Sequence, residues 1–206
     1  MARLNVNPTR MELKKLQSRL NTAVRGHKLL KDKSDEMIRR FSVMLRENKR
    51  LRDEVEEELS LVLRQFSIAR SVTPEYRAEA AFALPTVSVT ADCTTASVMG
   101  VEVPKVQLST ERTGVGLPYA FTEITSEADN SVEMVSALLP KLVRLAEVEK
   151  SVRLLATEIE RNKRRVNALE YVMIPQLEET IKYIKDKLSE NERAAIVRMM
   201  KVKNKN

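Results

Sequence analysis

The sequence predicts a mostly α protein: two long helices forming an antiparallel coiled coil, with a small middle segment that contains a short β-hairpin. Three observations predict it. Apolar residues recur at alternating steps of three and four along both outer stretches. Proline and glycine, sparse elsewhere, crowd the middle. Runs of alternating Val, Thr and Ser occur only there.

The first outer stretch follows Pro8 and runs to about residue 70. From Leu13 the seam reads Leu16, Leu20, Ala23, His27, Leu30, Ser34, Met37, Phe41, Met44, Asn48, Leu51 and Val55, and ten of these thirteen positions are apolar. The residues between are mostly charged or polar. A seam this narrow and this long must keep facing one partner helix, which is the requirement of a coiled coil. Beyond Val55 the apolar residues Leu59, Val62, Phe66 and Ala69 suggest a phase slip, a stutter that locally unwinds the supercoil. The other outer stretch repeats the period with Val152, Leu155, Ile159, Asn162, Val166, Leu169 and Met173, then Leu177, Ile181, Ile184 and Leu188. Pro175 lacks an N–H and should kink or loosen the helix there. Pro140 marks either a helix start or a second kink.

Pro74, Pro85, Pro104 and Pro118, with Gly100, Gly114 and Gly116, set off the middle. The expected parts are an N-terminal arm over 1–70, a middle segment over 71–127 and a C-terminal arm over 128–206. Thr86–Thr90 and Ser97–Val103 read as short β runs, with the turn between them. Two short strands are marginal in water and need support from the helices or from a partner. Folding the arms back antiparallel and matching seams puts Met37 against Met173, Phe41 against Leu169, Met44 against Val166 and Leu51 against Ile159. Asn48 would then face Asn162 in one polar layer.

Composition narrows the function. The 206 residues include 4 Gly, no Trp and 4% aromatics, against 32% charged residues. Phosphate-cradling loops need glycine, and Gly114-Val-Gly116 lacks the remaining residues of one. A helix over 9–70 is about 90 Å long at ~1.5 Å per residue, whereas a compact globule of this length is roughly 45 Å across. Such a chain offers little concave surface for catalysis. His27 has no second His or Cys to form a metal or catalytic group, and Cys93 has no base to activate it. The acidic run Asp53–Glu58 reads as a solvated helix face or a docking face for a basic partner. We therefore expect no catalytic, cofactor-binding or metal-binding residue, and no enzyme activity in this chain. A lone cysteine, no signal-like start and no run of ~18 apolar residues suggest a cytoplasmic protein without a membrane span.

Charge is uneven. Residues 1–52 hold 15 Lys/Arg and 5 Asp/Glu, while the rest holds 21 and 24. An antiparallel pair brings the two termini together, so Arg3, Arg10, Lys14 and Lys15 would join Arg193, Arg198, Lys201, Lys203 and Lys205 in one basic tip. Arg10, Lys14, Lys15, Arg198 and Lys201 are the expected partner-binding residues. The bland alternative is a solvated coiled-coil exterior. Nucleic acid is disfavoured, because exposed stacking aromatics and the usual DNA-binding layouts are missing.

The stretches Leu4–Leu13, Arg25–Lys33, Arg164–Tyr171, Ile174–Ile181 and Ile184–Arg193 resemble the D subunits of V/A-type ATPases. The resemblance covers both arms. It implies a non-catalytic central-stalk rotor subunit, a peripheral part of a membrane-bound complex, that couples ATP hydrolysis or synthesis to ion translocation. It implies three partners: a ring of catalytic A and B subunits around the paired termini, the small F subunit of the stalk near the β element, and a funnel-shaped subunit on the membrane rotor ring. Two other readings compete. A prefoldin-like chaperone subunit also joins two helical arms through β-hairpins, but its tips should be apolar rather than basic. A nucleic-acid-binding coiled coil rests on charge alone.

Overall fold

The structure, a computed structural model, describes residues 3–83, 87–112 and 125–204. Pro85, Thr86, Gly114, Gly116, Pro118 and Lys205 lie outside the described residues. Five helices and strands build the first half and middle: α1 (Arg10–Val72), α2 (Glu75–Phe82), β1 (Val87–Val98), β2 (Val101–Arg112) and α3 (Ser126–Ala168). A π-helical turn (Leu169–Met173) then leads into α4 (Ile174–Lys203). The fold class is thus mostly α, with one two-stranded antiparallel hairpin among the described residues, as the sequence predicts. Contacts divide the chain into one unit of residues 1–38 with 159–206 and another of residues 39–158.

In the first unit, Thr9 starts α1: its Oγ1 accepts from the Glu12 N–H at 3.2 Å, and its carbonyl accepts from Leu13. The core is Leu16 against Leu177, Ile181 and Ile184, flanked by Leu4, Leu13, Leu20, Ala23 and Leu188. The Leu4 N–H donates to Thr180 Oγ1 at 3.2 Å, tying the chain ahead of α1 onto α4. Thr180 is fully buried, and its hydroxyl also donates to the Gln176 carbonyl one turn back, so the seam holds a hydroxyl at little cost.

The expected pairing is corrected here. The Asn162 amide lies 3.3 Å from Met37 Sδ, and both residues are buried, whereas Met173 is exposed. The residue facing Met37 therefore comes eleven positions before the expected one, about three helical turns. An apolar seam repeats almost identically after three turns, so hydrophobic matching alone cannot select between the two alignments. The Asn48–Asn162 layer is not formed, since the Asn162 amide is engaged by Met37.

Pro175 has its expected effect in a specific form. A proline in a plain α-helix clashes with the carbonyl four residues back. Here the preceding turn widens, and the Ile174 N–H donates to the Leu169 carbonyl, five residues back. Pro175 then occupies the first turn of α4, where no N–H is required of it.

The second unit corrects two further expectations. All thirteen seam positions from Leu13 to Val55 are buried or half-buried along α1. Beyond Val55, however, the inward positions are Glu58, Val62, Gln65 and Ala69, and the heptad continues without a stutter. Leu59 and Phe66 stay exposed. Polar partners hold this phase: Lys141 Nζ donates to Glu58 and Gln65 Nε2 to Glu127. Val55 and Val62 meet Leu138, with Met134, Leu142 and Leu145 around them. Pro140 sits inside α3 rather than at its start.

The hairpin turn is also displaced from its expected place. The strands are twelve residues each, and they turn at Met99-Gly100, inside the second expected β run. Met99 has φ 56° and Gly100 φ 83°, the paired left-handed geometry of a two-residue hairpin turn. Gly100 was the available signal, since it is the one glycine between the strands. α2, which periodicity does not reveal, follows Pro74 and is rich in Ala and Glu.

Candidate partner-binding surface

Arg10 begins α1 opposite Glu192 on α4, with Nη2 2.5 Å from Oε1. The two ends of the helix pair therefore do lie side by side, as antiparallel pairing requires. Arg10, Leu13, Lys14 and Gln17 from α1 and Lys185, Leu188, Ser189 and Glu192 from α4 line an open groove of about 390 Å³. Of the five expected partner-binding residues, Arg10 and Lys14 share this groove. Lys15 stands on α1 beside Glu12 at 3.8 Å. Arg198 and Lys201 lie further along α4, with Arg198 Nε donating to the Ala194 carbonyl at 3.2 Å.

The charge at this end is only partly compensated. Arg10 pairs with Glu192, Lys187 with Glu190 at 2.7 Å, and the Arg3 guanidinium stacks 3.6 Å from the Tyr183 ring centroid. Lys14, Arg193, Arg198, Lys201 and Lys203 have no ion-pair partner among the described residues. Lys187 draws the Glu190 carboxyl below the usual carboxylate range, first by its hydrogen bond and then by its charge.

An apolar feature that the charge pattern does not announce lies here. Every α4 residue from Ser189 to Lys203 is exposed, and past Glu192, which sits opposite the first residue of α1, no partner helix runs alongside. Ile196, Val197, Met199, Met200 and Val202 are 47–65% exposed among those cations. Five apolar residues in seven positions, starting eight positions past the last seam residue, Leu188, were the legible signal. Scattered exposed apolar side chains are ordinary, but a cluster on an unpaired helix end marks an interaction surface.

The remaining candidates resolve into structural roles. His27 Nε2 lies 3.2 Å from Glu170 Oε2, so the only histidine is a half-buried seam residue with a polar contact at the seam's margin. In the acidic run, Glu54 pairs with Arg50 and Glu58 with Lys141, while Arg52 pairs with Glu149 on α3. Cys93 is exposed on β1. Among the described residues no cluster of three His, Cys, Asp or Glu could hold a metal, and no helix is long and apolar enough to cross a membrane. A second apolar area lies in the other unit, where Phe66, Ala69, Thr73, Ala78 and Ala128 line a cavity of about 280 Å³ with exposed Val72 and Tyr76 nearby.

The sequence profile of the ATP synthase D-subunit family matches residues 12–204. The chain is 50% identical over 206 residues to the V-type ATP synthase D subunit of Clostridium novyi, covering 98% of this chain and 95% of that protein. It is 51% identical over 205 residues to the protein of the same name from Acetivibrio thermocellus, covering 98% and 92% of the two chains. It is 47% identical over 203 residues to that of Thermoanaerobacter pseudethanolicus, covering 98% and 97%.

Proposed function

The chain belongs to the ATP synthase D-subunit family, and from that premise we propose that it is the central rotor shaft of a V/A-type rotary ATPase. In this reading it carries no catalytic group of its own. It turns inside a ring of catalytic A and B subunits and couples ATP hydrolysis or synthesis to ion translocation. The small F subunit of the stalk and a funnel-shaped subunit on the membrane rotor ring are its other partners.

The observation that carries the reading is the bare end of α4. A helix that outruns its partner, with apolar residues set among unpaired cations, has the surface chemistry of a protein-docking end. Ile196, Val197, Met199 and Met200 would supply apolar contact. Arg10, Lys14, Lys15, Arg198 and Lys201 would supply salt-sensitive contacts to acidic loops of the ring. Coupling further requires that the faces turned toward each ring subunit differ. A ring subunit whose conformations contact these faces with different affinity is driven from one conformation to another as the faces pass.

The test is reconstitution of the chain with a purified A/B ring. Wild-type protein should co-elute with the ring, and its affinity should fall as salt rises. Arg198→Glu with Lys201→Glu should weaken binding by tenfold or more and flatten the salt dependence. Ile196→Asp with Met200→Asp should weaken it at every salt concentration. Unchanged ring affinity in both double variants would remove this end of α4 as the docking surface.

A further inference from the structure

The β1–β2 hairpin has two outer edges, and they are treated differently. Val98 and Val101 flank the two-residue turn and so exchange both hydrogen bonds, and the pattern alternates from there. Val87, Val89, Ala91, Cys93, Thr95 and Ser97 on β1 therefore point their N–H and C=O groups outward. Two independent facts fix this phase. Pro104, which has no N–H to give the ladder, pairs with Thr95. The Val106 N–H, paired with Cys93 across the ladder, leaves the hairpin and donates to Glu147 Oε2 on α3 at 3.3 Å.

The edge of β2 is thus blunted by Pro104 and held by α3. The edge of β1 has neither device. Its residues from Val87 to Thr95 are all exposed, it contains no Lys and no Pro, and Asp92 is its only charge. A two-stranded hairpin is marginal alone, yet this one extends twelve residues. In the free chain water can meet these exposed groups, whereas another extended chain can pair with all six outward positions at once.

We propose that the β1 edge accepts an extended segment of another subunit of the assembly as a third strand. The side chains describe that segment. Val87, Val89, Ala91 and Cys93 form a shallow apolar row on one face, which takes bulky apolar residues at alternate positions. Asp92, without an ion-pair partner among the described residues, takes a Lys or Arg opposite it on the other face. A second copy of this chain fits less well. Any full-length antiparallel overlap of two β1 strands that keeps the backbone phase sets Asp92 opposite or diagonal to its own copy.

The inference rests on membership of a rotary assembly, and the experiment separates the two. Hydrogen exchange is measured residue by residue on the full chain alone and on the reconstituted complex, after co-elution has established that the complex forms. The amides of Ser88, Thr90, Asp92, Thr94 and Ala96 should be protected in both samples. The six outward amides should gain tenfold or more protection only in the complex. Ala91→Pro removes an outward donor and leaves the internal ladder intact, so it should abolish that gain while the inward amides of the free chain stay protected. If the complex forms and the outward amides exchange as in the free chain, the strand-addition claim fails and the rotor reading survives. If no complex forms, the rotor reading fails. Outward protection that appears in the isolated chain as its concentration rises assigns the edge to a second copy and overturns the proposal.

Discussion

Asn162 holds the most informative single position. It is 1% exposed, and its amide meets a thioether, a weak acceptor. Burying an amide on so poor a partner costs about 1–3 kcal/mol, so Asn162→Leu should raise thermal stability, read as a higher Tm, while weakening the preference for one alignment. A lower Tm would mean that the amide contributes more than its contact with Met37. Gly26 offers a complementary test. A Cβ built there meets no atom within 4 Å, and the residue sits inside α1. Gly26→Ala should therefore stabilise the chain by about 0.5–1 kcal/mol in denaturant unfolding. At the surface, the lowered Glu190 carboxyl contributes stability above the ordinary glutamate range, and that contribution is lost as pH falls through the depressed midpoint. Lys187→Met should move the Glu190 titration back up, followed by NMR of the side-chain carboxyl. Both side chains are exposed, so added salt should shrink the difference. Of the individual residues, the seam positions were legible because burial follows a fixed period. Glu58 and Gln65 were not, because their inward placement depends on Lys141 and Glu127, far away in the chain.

Among the elements, the hairpin turn is where local chemistry decides most. Met99 adopts φ 56°, a conformation costly for a side chain of that kind, while Gly100 at φ 83° does so freely. Met99→Asn creates the preferred Asn-Gly pair and should slow hydrogen exchange of the inward amides, with a gain of up to about 1 kcal/mol. Gly100→Val should speed it by a larger factor. Strand composition was legible in the sequence but the turn was not, because the alternating runs on either side outweigh a single glycine. The helices were easier to read, since α1 and the α3–α4 continuation each repeat one period many times. α2 was harder: eight residues hold too few turns for any period to stand out.

For the molecule as a whole, the antiparallel arrangement followed from two seams in one chain, but their alignment did not. A short bifunctional thiol reagent can check it in a Cys93→Ser background. It should join Met37→Cys to Asn162→Cys and fail to join Met37→Cys to Met173→Cys. The bare α4 end was half legible: its cations stand out in the sequence, whereas the exposure of its apolar residues depends on where the other helix starts. The widened turn ahead of Pro175 has a last implication, for which length changes the chain tolerates. Eight positions separate Leu169 from Leu177, one more than two seam steps require, and the surplus residue is absorbed in Leu169–Met173. Excising Val172 together with Pro175→Ala should leave every downstream side chain on its present heading. Excising Glu178 instead, where no slack exists, should swing Ile181, Ile184 and the whole terminal stretch through roughly 100°, turning oil toward water.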